Sequence, residues 1–214
     1  MNKNNMNGLK TKDLITIGVF TALYFIFNMI GGMPFGMNPV LTFYQPMGSA
    51  LLSGIIFMFL ISKVAKRGTI AILAIIICIL RFATGMHWAM GLGTLVMGII
   101  AEFIAGSKAY KSKKINILSF GVFALGDIGT FVVYFMDPKS WSNAMIEKGT
   151  DITYIESMNA AAADWMIYVI VIGTFLVALF SAFIGSKLLK KQFEKAGILW
   201  FQENWIHILI HAQK

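Results

Sequence analysis

Six long apolar stretches set the pattern of this chain, separated by short segments of lysine, glycine and polar residues. A helix needs about 20 mostly apolar residues to cross a bilayer core. The stretches at about 13–31, 40–62, 69–86, 88–106, 115–136 and 164–186 are of that order. The pattern predicts an all-α polytopic membrane protein, a six-transmembrane-helix bundle over residues 1–196. The second span has the least regular start, because Pro39 and Pro46 disfavour helix around them. The tail 197–214 is too short and too polar for a seventh span. Trp200, Phe201, Trp205, Ile206, Leu209 and Ile210 give it one apolar face, the pattern of an interfacial helix.

The first stretch raises the question of a signal peptide, since Lys3, Lys10 and Lys12 precede Leu14–Ile30. No small-residue cleavage site precedes Gly31-Gly32-Met33-Pro34, so the stretch reads as a retained span.

The charges then orient the spans. Lysine and arginine gather before the first span (Lys3, Lys10, Lys12), between the second and third (Lys63, Lys66, Arg67), between the fourth and fifth (Lys108, Lys111, Lys113, Lys114) and after the sixth (Lys187, Lys190, Lys191, Lys195). The other connections carry only Lys139 and Lys148. This alternation places both termini in the cytoplasm of a bacterial plasma membrane, N-in and C-in. A net charge of +8 would point to nucleic acid in a soluble protein, but here orientation accounts for it and no nucleic-acid partner is expected. Apolar residues make up 57% of the chain and charged ones 13%. A soluble fold of this size would have no place to hide that apolar surface, so the bilayer is its solvent.

Two connections on the predicted outer side are substantial. Gly31–Gln45 is rich in Gly, Met and Pro and offers Asn38, Tyr44 and Gln45; 137–163 is long and polar. Charges inside spans cost about 2.5–3.5 kcal/mol on insertion scales, so Arg81, Glu102, Asp127 and Asp164 need a reason. Arg81, Asp127 and Asp164 could line a polar cavity on the outer side with His87, Trp88 and Trp165. The plainer alternatives are an Arg81–Asp127 ion pair, an Asp164 helix cap, a solvated His87 and an aromatic belt of Trp88 and Trp165. Glu102 lies near the cytoplasmic end, within reach of a partner or of a neighbouring lysine. Gly18 and Ala22 form a small-xxx-small pair that lets another helix approach, from this chain or from a partner.

No nucleotide loop, catalytic triad or metalloprotease motif is found, so no enzyme activity and no cofactor are expected. The one cysteine, Cys78, excludes a disulfide framework. Met29, Met33, Met37, Met47, Met86 and Met90 read as adaptable apolar walls rather than as a soft-metal site. His207 and His211, four apart, lack a carboxylate to complete a metal site. Any active transport must draw its energy from a partner or an ion gradient.

Six spans with this orientation and the Gly18/Ala22 pair resemble the substrate-binding S component of energy-coupling factor (ECF) transporters. The stretches Gly31-Gly-Met-Pro-Phe-Gly-Met-Asn-Pro-Val40 and Gly98-Ile-Ile-Ala-Glu-Phe-Ile-Ala-Gly106, with Tyr110-Lys111-Ser112, resemble its MptD-like (Trep-Strep) branch over roughly residues 10–195. The resemblance implies a bound vitamin or other micronutrient and partnership with a transmembrane T component and two cytoplasmic ATPases. It implies that Gly18 and Ala22 meet the T component, that Gly31–Gln45 gates the pocket, and that polar groups at the outer ends of the fourth to sixth spans line it. A self-sufficient secondary transporter or small channel is the alternative; no internal repeat supports it.

Overall fold

The computed structural model describes residues 8–195, and among them it contains helices and turns and no strand. The predicted tail 197–214, with His207 and His211, lies outside the described residues. The helices are α1 (Thr11–Gly36), α2 (Gln45–Lys63), α3 (Thr69–Ala83), α4 (Trp88–Gly106), α5 (Lys113–Ala124), α6 (Gly129–Met136), α7 (Pro138–Glu147), α8 (Ile152–Ala161) and α9 (Met166–Lys195). Short 3-10 turns at Thr42–Tyr44 and Leu125–Ile128 lead into α2 and join α5 to α6.

Five segments are long and apolar enough to cross a membrane: Thr11–Gly36, Thr42–Lys63, Trp88–Gly106, Lys113–Met136 and Met166–Leu189. The predicted third span is the shorter apolar helix Thr69–Ala83. Its 15 residues extend about 22 Å, less than a hydrocarbon core of about 30 Å. Only 28–61% of each long span's apolar window is buried within the chain. Val19, Ile26, Ile79, Val96, Phe103, Ile172, Leu176 and Phe180 all face outward. Apolar side chains on the outside of a well-packed bundle are the mark of a multi-pass membrane protein.

Neighbour packing runs in a closed ring, α1 on α2, α2 on α9, α9 on α5, α5 on α4, α4 on α3 and α3 back on α1. The ring encloses a core of Tyr24, Phe57, Ile70, Leu73, Phe120 and Phe123. A second apolar cluster, Phe43, Phe131, Tyr134, Trp141, Ile155, Met158 and Ile170, joins α7 and α8 to one end of the bundle.

Three expectations change. Gly31-Gly32-Met33-Pro34 is helical and extends α1 to Gly36, five residues past the predicted end. Packing on α2 overrides the breakers: a Cβ on Gly31 would strike the Gly48 carbonyl, and one on Gly32 would sit 3.0 Å from Gln45 Cγ. The gate-like loop thus shrinks to a short turn ahead of Thr42–Tyr44. The long connection 137–163 is not loop but the helical pair α7–α8, started by Asp137 and Asp151 side chains that accept from Ser140 N–H and Tyr154 N–H. The fifth span is interrupted at Leu125–Ile128, where close contact with α4 sets the path. A Cβ on Gly126 would lie 2.6 Å from the Thr94 Cα, and one on Gly93 2.6 Å from the Gly126 carbonyl oxygen.

Candidate functional site

The interrupted fifth span delivers Asp127 into the bundle, where its side chain is 4% exposed. α3 delivers Arg81 from its last turn, 2% exposed, and the two pair at 2.5 Å. α1 adds Asn28, whose amide donates to Asp127 Oδ2 at 2.8 Å and whose carbonyl accepts from Arg81 Nη2 at 3.4 Å. α4 adds Thr94, whose hydroxyl accepts from Arg81 Nη1, which also donates to the Met90 carbonyl at 3.3 Å. Both Asp127 oxygens and both Arg81 terminal nitrogens therefore have partners inside the chain. This is how a charge pair survives burial: each ion is paired and its remaining capacity is hydrogen-bonded.

The network forms the floor of a cavity of about 190 Å³, lined by Asn28, Arg81 and Asp127 with Gln45, Ser49 and walls of Met29, Met33, Met37, Met86 and Met90. A second cavity of about 400 Å³ lies beside it, and Gly36, Gln45, Met86 and Met90 line both. Its far wall comes from α7 and α8 through Trp141, Met145, Tyr154, Ile155 and Met158. Apolar walls around a few convergent polar groups suit a small organic ligand, and methionines let the walls adapt to its shape. Among the described residues no group of three His, Cys, Asp or Glu side chains is placed to hold a metal ion.

The helical pair is fastened on both sides of this space. Lys148 donates to the Gly85 and Met86 carbonyls at 3.2 and 3.0 Å. Tyr154 donates to the Gly36 carbonyl at 2.7 Å. Inside, Trp141 Nε1 donates to Thr130 at 2.9 Å, and Tyr134 donates to Asn159 at 2.8 Å. Gly85 turns the chain between α3 and α4 with φ 75°, a value glycine adopts freely. His87 follows it as the N-cap of α4, its Nδ1 accepting from Ala89 N–H at 3.3 Å. Burial first, and the Lys148 ammonium second, push the His87 pKa below its ordinary value.

The residues anticipated from sequence separate into two groups. Arg81, Asp127 and Gln45 meet at the first cavity, and Gln45 and His87 line the second. Arg81 and Asp127 form the ion pair and line the cavity at once. The others lie elsewhere. Asp164 is exposed, and Trp88 and Trp165, 51% and 56% exposed, lie on the outer surface. None of the three lines either cavity, and α9 begins at Met166, two residues after the expected start. Asn38 is exposed and shapes its own turn, accepting from Val40 and Leu41 N–H at 2.9 and 3.2 Å. Tyr44 caps α2 and lines neither cavity.

Gly18 and Ala22 are exposed, and a Cβ on Gly18 would meet nothing within 4 Å. The pair is not used for packing within the described chain. The Glu102 carboxylate is taken up internally: it accepts from Gly68, Ile70 and Ala71 N–H at 2.7, 2.9 and 3.2 Å and from the Tyr110 hydroxyl. It thereby caps α3, whose own N-cap, Gly68, has no side chain.

Asn28 and Thr94 escaped the sequence reading, which deep within the spans asked a reason only of charged groups. Asn28 is the one asparagine in the first apolar stretch, and a buried amide there demands a partner as a charge does. Thr94 gives no such signal, because threonine hydroxyls often bond back to their own helix.

No curated protein and no solved structure matches the chain. The model of a family described as a hypothetical bacterial integral membrane protein (Trep_Strep) matches residues 11–195, nearly all of the bundle just described, and the chain belongs to that family.

Proposed function

We propose that this protein is the substrate-binding S component of an ECF-type importer in the bacterial plasma membrane. It has six spans, with α3 as the short third one and α5–α6 as the fifth, and both termini in the cytoplasm. The carrying observation is the pair of adjoining cavities beneath α7–α8, with the Arg81–Asp127–Asn28 floor and methionine walls. Basic connections at the opposite end support a mouth that opens outside the cell. There it takes up a vitamin or other micronutrient, oriented by Gln45 and the polar floor. The open face around Gly18 and Ala22 receives the T component, and two cytoplasmic ATPases supply the energy.

The test is affinity purification from native membranes with mass spectrometry of proteins and small molecules. Co-purification of a T component and two ATPases, weakened in Gly18→Leu/Ala22→Leu with ligand retained, supports the reading. Wild-type recovery of the T component by that variant counts against the interface.

One observation favours a second reading, a self-sufficient secondary transporter. The fifth span changes from α to 3-10 helix at Leu125–Ile128 and carries a buried ionisable group there, Asp127. Substrate uptake into liposomes by the purified protein alone, driven by an ion gradient, would establish it and sink the first.

A further inference from the structure

The end of the bundle opposite α7–α8 holds a larger cavity, about 550 Å³, that the substrate reading does not use. It lies between the α2–α3 connection and the α4–α5 connection and is lined by Lys66, Arg67, Lys108 and Lys111, with no carboxylate among the described residues of its wall. Two carboxylates stand nearby, and both are engaged. Asp13 pairs with Lys66 at 2.5 Å and accepts from Lys10 N–H at 2.8 Å. Glu102 spends both oxygens on the start of α3 and on Tyr110. Arg67, Lys108 and Lys111 make no ion pair among the described residues.

The rim is built rather than loose. Ala109 and Tyr110 both take left-handed backbone, at φ 50° and 61°, a conformation that strains a non-glycine residue. Two contacts hold them there: the Tyr110 hydroxyl on Glu102, and the Asn116 amide donating to the Tyr110 carbonyl at 2.7 Å. Tyr110 is 5% exposed, and burial with the adjacent Glu102 raises its pKa, so it stays a neutral donor. The strained turn carries Lys108 on one flank and Lys111 on the other, and Arg67 lines the same cavity. Several cations around one concavity raise its positive potential and favour an anion there.

We propose that this cavity binds a phosphate group. Arg67, Lys108 and Lys111 supply the charge, and Lys66 closes the side next to α1. Two sources offer that chemistry at this end of a membrane protein: the headgroup of an anionic phospholipid, and a soluble phosphate ester. Basic pockets between spans on the side rich in lysine suit lipid headgroups; an arginine fork suits either.

The test uses the full chain, delipidated in a neutral maltoside detergent. Binding of dioleoylphosphatidylglycerol, dioleoylphosphatidylcholine and inorganic phosphate is measured by native mass spectrometry and thermal shift. Two triple variants are compared. Arg67→Gln/Lys108→Gln/Lys111→Gln empties the cavity of charge. Lys63→Gln/Lys114→Gln/Lys187→Gln removes three basic residues of the same end that do not line it. All six substituted positions are exposed, which spares the fold. Each basic group near an anionic headgroup contributes about fivefold in affinity, so the cavity variant is expected to lose roughly a hundredfold and the control far less. Selective binding of phosphatidylglycerol, lost in the cavity variant, supports a lipid headgroup. Binding of inorganic phosphate with the same dependence, without lipid preference, supports a soluble ester. The proposal is overturned if neither probe binds, or if the control variant loses as much as the cavity variant.

Discussion

Replacing Asp127 by alanine removes the acceptor of two buried donors, Arg81 Nη2 at 2.5 Å and Asn28 Nδ2 at 2.8 Å. Arg81 is 2% exposed and loses its carboxylate partner; water entering from the adjoining cavity replaces hydrogen bonds but not the opposite charge. Removing one partner of a buried pair costs about 3–5 kcal/mol, because the other charge is left uncompensated. Arg81 keeps the Thr94 hydroxyl and the Met90 carbonyl, which places the expected loss near the lower figure, about 3 kcal/mol. For a chain of this length that lowers a melting midpoint by roughly 6–12 °C, at about 2–4 °C per kcal/mol. The assay is thermal unfolding in dodecyl maltoside, followed by tryptophan fluorescence. A triple variant, Asn28→Leu/Arg81→Leu/Asp127→Leu, removes the ion pair and its amide partner, leaves Thr94 bonded back to the Met90 carbonyl, and is expected to melt well above Asp127→Ala. If Asp127→Ala melts with the wild type, the pair is not buried as described. If the triple variant melts no higher than the single one, uncompensated charge is not the cause.

The other predictions concern the caps, the roof and the helix contacts. Glu102→Gln keeps the shape but removes the charge that caps α3, and is expected to cost about 1–2 kcal/mol in the same melting assay. His87 has a lowered pKa in the fold, so the unfolded chain binds its proton more readily. Stability should hold above about pH 6.5 and decline as pH falls from there towards the folded value. His87→Asn, which retains an N-cap acceptor, should flatten that decline. Lys148→Ala/Tyr154→Phe unfastens α7–α8 from Gly85, Met86 and Gly36, and limited chymotrypsin digestion, whose aromatic sites the variant keeps, should cut this pair faster with the bundle intact. Gly126→Leu forces a side chain against the Thr94 backbone and should lower yield or cost about 1–3 kcal/mol of stability, whereas Gly18→Leu, with open space around it, should leave folding unchanged.

The sequence by itself determined the solvent and the class of fold. Long apolar stretches can satisfy their backbone in lipid only as helices, so composition and run length were enough for an all-helical multi-pass protein. The same rule that makes intramembrane charge expensive picked out Arg81 and Asp127 before any geometry was known. Tertiary structure decided what local signals do not carry. Gly31, Gly32 and Pro34 look like breakers, yet α1 runs through them because only glycine allows α2 to approach so closely. Whether Asp127 met Arg81 depended on where the fifth span tightens into the 3-10 turn Leu125–Ile128. Its path there follows from the contact of Gly126 with Gly93 and Thr94, between segments more than thirty residues apart in the chain. Asn28 became part of the floor for the same reason. Which polar groups converge is a property of three helices packed in one register, and no one of them encodes it alone.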